Sequence, residues 1–260
     1  LVIANGDVTL AGANSYSGET AVAGGTLTGT TGSLQGDITN NAAVVFNQAT
    51  NGTYGGALSG AGTLTKTGGG LLTLDGDNSG FTGTTTIASG GLQIGTGVGS
   101  TGTVTAGDIV NNTALTFDLG SVQTYGGAIS GSGGVTIAGA QVILTGTSSY
   151  TGGTTVDGYG LMIGDGVATG KIVGAVTVNG GGLYFRSADT SGLTTIASNN
   201  TYVVFSNTTS ASSAAITNNS GIVRFEDNST AGDATIDNQG TLQFQGSASA
   251  GNATIHNSDT

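Results

Sequence analysis

The stretch ITNNSGIVRFEDNSTAGDATIDNQGTLQFQGSASAGNATIHN, residues 216–257, decides the fold because it repeats itself with a short, constant period. Each unit begins with an isoleucine, has an asparagine two positions later, and continues to a phenylalanine or its equivalent. The alternation of apolar and polar residues indicates short β-strands, and the Gly, Asn, Asp and Ser between them indicate sharp turns. Repetition on this scale is typical of a protein that stacks one structural unit many times.

The repeat extends upstream and predicts three columns of equivalent residues. Its leading apolar residues and its phenylalanines both recur at intervals of about 20 residues. A period of about 20 residues with short strands is one coil of a β-solenoid, in which equivalent residues lie above one another at ~4.8 Å. We expect the apolar columns to fill the interior and the asparagines to form a hydrogen-bonded ladder. The columns are Val176, Ile196, Ile216, Ile236 and Ile255; Phe185, Phe205, Phe225 and Phe244; and Asn218, Asn238 and Asn257.

A longer repeat occupies the first part of the chain. Residues 59–95 read SGAGTLTKTGGGLLTLDGDNSGFTGTTTIASGGLQIG, residues 130–164 are a second copy, and residues 8–29 are a weaker one. Their anchor aromatics Tyr16, Phe81 and Tyr150 recur at intervals that correspond to about three coils. We interpret these outward aromatics as packed under their turns, with contact points on the surface as the alternative. The sequence therefore predicts one continuous solenoid, with long repeats over 1–164 and regular coils over 165–260.

The composition agrees with this architecture and argues against several functions. The 260 residues include 51 Gly but no Pro, Cys or Trp, and the net charge is −11. Proline is disfavoured where strands are paired on both sides, because it lacks the backbone donor. Four Lys and Arg residues are too few to bind nucleic acid or an anionic membrane surface. We therefore expect no nucleic-acid binding, no direct membrane insertion and no cofactor.

One turn resembles the start of a calcium-binding loop. Asp75, Asp77 and Ser79 have the spacing of the first three ligands of such a loop. However, Thr86 stands where a bidentate glutamate is needed, and the sister copies lack the carboxylates. We interpret the segment as a turn and retain its three residues as a weak calcium candidate.

The only histidine gives little support for a catalytic triad. His256 falls in the column of Ala197, Thr217 and Asp237. A column that accepts four such different side chains is expected to face solvent. The sequence therefore predicts no catalytic role for His256.

The acidic residues likewise give no clear catalytic pair. Glycoside chemistry needs two carboxyl groups that converge in a cleft. Glu226 and Asp227 are adjacent, so they would lie on opposite faces if they belong to a strand, and Arg186 and Arg224 do not fall in one column. We predict that the chain is not an enzyme. A carbohydrate-active β-helix enzyme remains an alternative, and its sign would be a cleft where Asp or Glu converges with Arg.

The long repeat also resembles a known family. The elements G-x-G-T-L-T-K-T-G, L-T-L, aromatic-T-G-T-T-T-I and G-x-L-Q-I-G of residues 60–95 are similar to the autotransporter-associated β-strand repeat, also called the passenger-associated transport repeat. The copy that begins at Gly131 lacks the lysine and has Ala138 in that neighbourhood. The copy that begins at Val8 keeps its second half best.

The resemblance implies an all-β fold, a single-stranded right-handed parallel β-helix. It implies export through the outer membrane of a Gram-negative bacterium to the cell surface, by a C-terminal translocator barrel outside this chain. We therefore expect a structural and adhesive segment that assists export and folding. Its expected partners are host-cell or neighbouring-cell surface components, or another copy of itself. A spacer stalk with no ligand remains an alternative, because it needs the same ladders.

Overall fold

The computed structural model describes residues 1–258, and these form a stack of β-strands without any α-helix. Throughout this part of the chain, neighbouring coils pair through parallel strands. The stack has about 13 turns roughly 20 residues apart, which confirms the β-solenoid predicted from the repeat. At ~4.8 Å per coil the solenoid is about 60 Å long.

Within residues 1–258 the strands are short, except for two in the C-terminal coils. In the first five coils they are β1 (Val2–Ile3), β2 (Asp7–Thr9), β3 (Thr20–Val22), β4 (Thr26–Gly29), β5 (Ile38–Asn40), β6 (Ala43–Asn47), β7 (Gly52–Tyr54), β8 (Leu58–Gly60), β9 (Thr63–Thr67), β10 (Leu71–Leu74), β11 (Gly80–Phe81), β12 (Thr85–Ile87) and β13 (Gly91–Ile94). In the middle coils they are β14 (Ile109–Asn111), β15 (Ala114–Phe117), β16 (Gln123–Tyr125), β17 (Ile129–Ser130), β18 (Gly134–Ile137), β19 (Val142–Leu144), β20 (Thr154–Val156) and β21 (Leu161–Ile163). In the last coils they are β22 (Gly174–Val178), β23 (Gly182–Arg186), β24 (Leu193–Ser206), β25 (Ala215–Phe225), β26 (Thr235–Asn238), β27 (Thr241–Phe244) and β28 (Thr254–Asn257).

Three sheets run along the stack. One contains β1, β3, β5, β8 and β11, and a second contains β2, β4, β6, β9, β12, β14 and β17. The third begins with β7, β10 and β13 and continues into the C-terminal coils. In that sheet Leu92 pairs with Leu115, and Leu115 pairs with Val135, so apolar residues lie on apolar residues. This coincidence of apolar columns fixes the register, because a shift by one residue would turn each apolar column outward.

The C-terminal coils differ because β24 and β25 each follow two faces of the solenoid. The first half of β24 pairs with β22 and its second half with β23. The pairing of β24 with β25 shifts register between Ser198 and Thr201, where the strand turns the corner. Each of these coils therefore presents two joined strand faces.

The predicted apolar columns lie inside these coils. Val176, Ile196, Ile216 and Ile236 pair in succession and are buried. The four phenylalanines stack with ring centroids 4.8, 4.8 and 5.1 Å apart and interplanar angles of 13°, 8° and 9°. Such contacts bury a large apolar area and hold the coils in register. Phe244 and Ile255, near the end of the described stack, are 36% and 38% exposed.

The tyrosines of the two TYGG motifs tie successive coils together. The Tyr125 hydroxyl donates a 2.8 Å hydrogen bond to the Gly107 carbonyl, and Tyr54 donates to the Gly36 carbonyl in the same way. Gly127 is needed beside Tyr125, because a Cβ at that position would approach the phenol oxygen within 2.6 Å. The TYGG motif recurs because the buried tyrosine ring needs a glycine, which has no side chain, beside it.

The anchor aromatics of the long repeat are mostly interior, as the packing interpretation predicts. Phe81 and Tyr150 are buried, and Tyr16 is half-buried. The Tyr150 hydroxyl shares a 2.6 Å hydrogen bond with the Thr154 hydroxyl, so its polar atom is satisfied inside the core. Burial raises the pKa of Tyr150 to about 12. Phe81 and Tyr150 are therefore core elements, whereas Tyr16 is only partly buried.

Lys66 is the unusual member of the core. It is fully buried and lies in the column between Phe46 and Ile87. Its ammonium donates to the carbonyls of Thr67, Gly68 and Ser89 at 2.8, 2.8 and 3.1 Å. Within residues 1–258 no carboxylate pairs with it. Burial lowers the pKa of Lys66 from its ordinary value of 10.5.

The strand register identifies the residue that replaces this lysine in the second long repeat. Lys66 pairs with Phe46 of the preceding coil, and Ile137 pairs with the equivalent Phe117. Ile137, one residue before Ala138, is therefore the counterpart of Lys66. The same interior position thus holds either a lysine that donates to backbone carbonyls or an aliphatic side chain.

We expect Lys66→Ile to leave the fold intact and to raise the free energy of unfolding at neutral pH by on the order of 1 kcal/mol, because it removes a buried unpaired charge. The parent protein should gain stability as the pH rises toward 10.5. In that range the folded lysine has already lost its proton, whereas the unfolded lysine still holds it. Denaturant titrations at neutral and alkaline pH measure both effects. A parent stability that falls over this range, relative to Lys66→Ile, would contradict the assignment.

We expect Phe205→Ala to cost about 3–5 kcal/mol, because Phe205 is buried and stacked on both sides. Phe244→Ala is the matched control, since Phe244 is 36% exposed and stacks on Phe225. Urea unfolding followed by circular dichroism compares the two variants. Equal losses of stability would show that the ladder does not carry the packing energy.

Candidate functional site

A pocket opens on the outer face of the coils that contain β21, β23, β24 and β25. Its volume is about 190 Å³. We call it the outer-face pocket, and it is lined by Met162, Tyr184, Arg186, Val204, Ser206, Asn207, Glu226 and Asp227. Tyr184 and Arg186 flank Phe185, and Val204 and Ser206 flank Phe205. The phenylalanine ladder therefore fixes the position of these four lining residues.

The pocket exists because side-chain size differs between three neighbouring coils. Tyr184 pairs with Val204, which pairs with Arg224, and all three point outward. The middle coil therefore contributes short side chains, Val204 and Ser206, between coils with long ones. With ~4.8 Å between coils, the two walls stand about 10 Å apart.

The end of the pocket is a corner with left-handed backbone. Ser187, Asn207 and Asp227 occupy equivalent positions in three coils and have φ values of 56°, 58° and 60°. The Asn207 amide side chain donates to the Ser187 hydroxyl at 2.9 Å, and the Asn207 backbone N–H donates to an Asp227 carboxylate oxygen at 3.0 Å. In the next coil Gly246 takes this conformation with φ 68°. Glycine is the residue that adopts it without strain.

The two arginines differ in how they are held. The Nε of Arg224 donates to the side-chain oxygen of Gln243 at 3.0 Å, and its Nη1 lies 4.0 Å from a carboxylate oxygen of Glu226. In the part of the chain that the structure describes, the guanidinium of Arg186 makes no ion pair and no side-chain hydrogen bond. Arg186 therefore has its donors available at the rim of the pocket.

Glu226 and Asp227 both line the pocket, because neither belongs to a strand. The alternation of β25 ends at Phe225, and Asp227 has left-handed φ, so the condition for opposite faces is not met. Arg186 and Arg224 lie in different columns, as expected, but these columns are neighbours on one outer face. A cleft that gathers Arg, Glu and Asp is therefore present, and the sequence reasoning missed it.

The two carboxylates are not arranged like the acids of a glycosidase. Those acids flank the bond that is cleaved. Glu226 and Asp227 belong to one coil and therefore to one wall, opposite Tyr184 and Arg186. The geometry supplies donors and acceptors for binding more directly than an acid and a base on two sides of a bond.

The acidic turn is held by hydroxyl groups. The Asp77 carboxylate accepts from the backbone N–H and the hydroxyl of Ser79 at 3.0 and 2.7 Å and from Thr103 at 2.8 Å. The Asp75 carboxylate accepts from Ser100 at 2.6 Å. The hydrogen bond from the Ser79 hydroxyl is the main cause that lowers the pKa of Asp77. No cluster of three metal-ligating side chains occurs within residues 1–258.

The asparagine column forms a continuous chain of hydrogen bonds. The amide nitrogen of Asn218 donates to the side-chain oxygen of Asn238 at 2.6 Å, and Asn238 donates to Asn257 at 2.6 Å. Asn218 and Asn238 are buried, so these bonds form where water does not compete.

A second ladder runs outside and was not predicted. Asn219 donates to Asn199, Asn199 to Asn179, and Asn179 to Asp157, at 2.7, 2.8 and 2.9 Å. At Asn218–Asn219 the sequence signal was the Asn-Asn pair of the motif, because strand alternation places Asn218 inward and Asn219 outward. Asn179 and Asn199 have no such inward asparagine beside them.

His256 is exposed, and its column is the one that the spacing predicts. It pairs with Asp237, which pairs with Thr217, which pairs with Ala197.

Across the described residues no helix is long and apolar enough to span a membrane.

The comparisons with known proteins agree with the repeat structure. The sequence profile of the passenger-associated-transport-repeat matches residues 5–28, 64–94 and 138–158. The adhesin BmaC autotransporter of Brucella suis biovar 1 (strain 1330) is 37% identical over 155 residues, which cover 50% of this chain and 4% of that protein. The chain thus corresponds to a small part of the relative. No solved structure matches the chain.

The fold and the matches define a class of protein, the β-solenoid built from transport-type repeats. The chain contains passenger-associated transport repeats and is similar to a segment of an autotransporter. The similarity to an autotransporter implies export through the outer membrane to the cell surface.

We expect calcium to leave the stability of the segment unchanged, because hydroxyl groups already occupy the oxygens of Asp75 and Asp77. A ligand that binds the folded state raises stability according to its concentration and dissociation constant. Thermal unfolding with millimolar calcium and with a chelator measures this, and Asp77→Asn is the matched variant. A calcium-dependent rise in the midpoint that Asp77→Asn abolishes would establish a calcium site.

Proposed function

We propose that the segment is a non-catalytic structural and adhesive part of its passenger. The observation that carries this proposal is an unbroken parallel stack whose outer face displays apolar side chains. The similarity to a protein named as an adhesin supports the adhesive role. The partners would be surface components of host cells or neighbouring cells, or a second copy of the solenoid.

The exposed apolar residues supply contact points. Val98 and Val167 are 93% and 95% exposed, and each belongs to a loop that follows the last strand of a long repeat. Tyr159 is 73% exposed on the coil before the second loop. Single apolar residues bind weakly, but several on one rigid rod can engage a surface together and raise the overall affinity.

The local character of the strand pairing supports a role in export and folding. Val44 pairs with Leu64, one coil later, and such pairing between consecutive coils is typical of the stack. A chain that emerges gradually from a translocator can therefore complete each coil on the one before it. The translocator itself would be a C-terminal barrel that anchors the passenger.

Two other functions compete with this proposal. A spacer stalk would use the same ladders without binding anything. A carbohydrate-active enzyme is favoured by one observation, the outer-face pocket with its Arg, Glu and Asp side chains. Incubation of the segment with polysaccharides, followed by detection of new reducing ends or unsaturated products, tests that alternative directly.

We expect the triple variant Val98→Ser, Tyr159→Ser and Val167→Ser to reduce adhesion of cells that display the whole passenger. These changes keep every coil and the length of the rod, so a spacer would be unaffected. Adhesion to host cells and aggregation of the bacteria are measured together. Antibody binding to intact cells controls for surface display. Normal display with undiminished adhesion and aggregation would contradict the adhesive role of these residues.

A further inference from the structure

We propose that the outer-face pocket binds one ring of a neutral saccharide. This inference rests on the proposed adhesive function, and it names the chemical class of a partner. The pocket volume of about 190 Å³ lies below the usual range for drug-sized ligands, so it suits a single ring or a similar small group.

The pocket combines an apolar floor with an aromatic wall. Val204 is nearly buried, and Met162 and the half-buried Tyr184 lie beside it. The Tyr184 ring leans over Gly182, where a Cβ would come within 2.9 Å of three of its atoms. A pyranose ring has a face of C–H bonds, and such a face is complementary to an aromatic and aliphatic surface.

The polar groups around this floor are both donors and acceptors. Arg186 and Asn207 bring N–H donors, and Glu226 and Asp227 bring acceptor oxygens. A hydroxyl group donates and accepts, so a ring with several hydroxyl groups can use both kinds of partner. Hydrogen bonds to charged side chains are the stronger ones.

The charge balance argues for a neutral ligand. Glu226 and Asp227 offset the charges of Arg186 and Arg224, Asp165 beside Arg186 adds one further negative charge, and the whole chain carries −11. An anion would be drawn to Arg186 but would meet two carboxylates on the opposite wall. A cation would meet Arg186 at the rim. A ligand without net charge avoids both conflicts.

The corner residues indicate that the polar wall is specific to these coils. Asp227 and Asn207 hold left-handed backbone, whereas Gly246 takes that conformation in the next coil. Placing a residue other than glycine in this conformation costs about 1 kcal/mol or more of folding free energy. Ser, Asn and Asp therefore occupy positions where glycine would suffice for the turn, and two of their side chains line the pocket.

The test uses the described segment within the whole passenger, with lactose, cellobiose and diacetylchitobiose as probes. Galacturonate and spermidine are the anionic and cationic comparisons. Saturation-transfer NMR detects binding, and titration gives the dissociation constants. We expect at least one neutral disaccharide to bind, and Tyr184→Ala and Arg186→Gln to weaken it ~10-fold or more.

Two matched controls separate binding from folding. Tyr202 is 47% exposed on the same face but does not line the pocket, so Tyr202→Ala should leave the affinity unchanged. Asp227→Gly and Ser212→Gly both relieve left-handed backbone, at φ values of 60° and 55°, and both should fold. Of these two variants, we expect only Asp227→Gly to weaken binding of the disaccharide.

The outcomes test the saccharide site and the wider adhesive role separately. Failure of all three disaccharides to bind, binding of the charged probes alone, or equal effects of Tyr184→Ala and Tyr202→Ala would overturn the saccharide site. The adhesive proposal is judged separately, because its variants Val98→Ser, Tyr159→Ser and Val167→Ser leave the pocket lining intact. Adhesion that persists in those variants would not alter the measured sugar affinity.

Discussion

In-register stacking of like side chains across parallel coils is the interaction on which the rest of the structure depends. Phe205 contacts a ring above and a ring below at 4.8 Å, close to the ~4.8 Å separation of the coils. Backbone hydrogen bonds and ring contacts therefore favour the same axial spacing. The asparagine ladders add side-chain hydrogen bonds along the same axis. Because backbone and side-chain interactions favour the same spacing, a few residue types that recur at the same positions are enough to specify a long rod.

This agreement explains what could be predicted from the sequence. A side chain that faces inward meets its equivalent in the next coil, so interior positions repeat and a periodic search finds them. The phenylalanine and isoleucine columns were found in this way. Lys66 shows what a comparison of residue types cannot find. Its counterpart Ile137 occupies the same position in the core but has a different side-chain chemistry. Only the strand register identifies such a pair.

The outer-face pocket could not be found by the same search, since it depends on a difference between coils. Val204 and Ser206 are short where their neighbours Tyr184 and Arg224 are long, and the period of the repeat carries no information about that contrast. The alternation rule does not apply to Asp227, because β25 ends at Phe225 and Asp227 has left-handed backbone at the edge of the pocket. The departures from the repeat are therefore the places where function is to be sought.

The interior and the exterior of the solenoid are under different constraints. The interior must repeat, because each coil is the template for the next and a mismatch would interrupt growth of the stack. The exterior is freer to vary, because outside ladders such as that of Asn179, Asn199 and Asn219 most outward side chains do not have to match the next coil. Val98 and Val167 on their loops, and the polar wall formed by Asn207 and Asp227, use that freedom. A solenoid can therefore keep a uniform core while the side chains on its surface differ from one coil to the next.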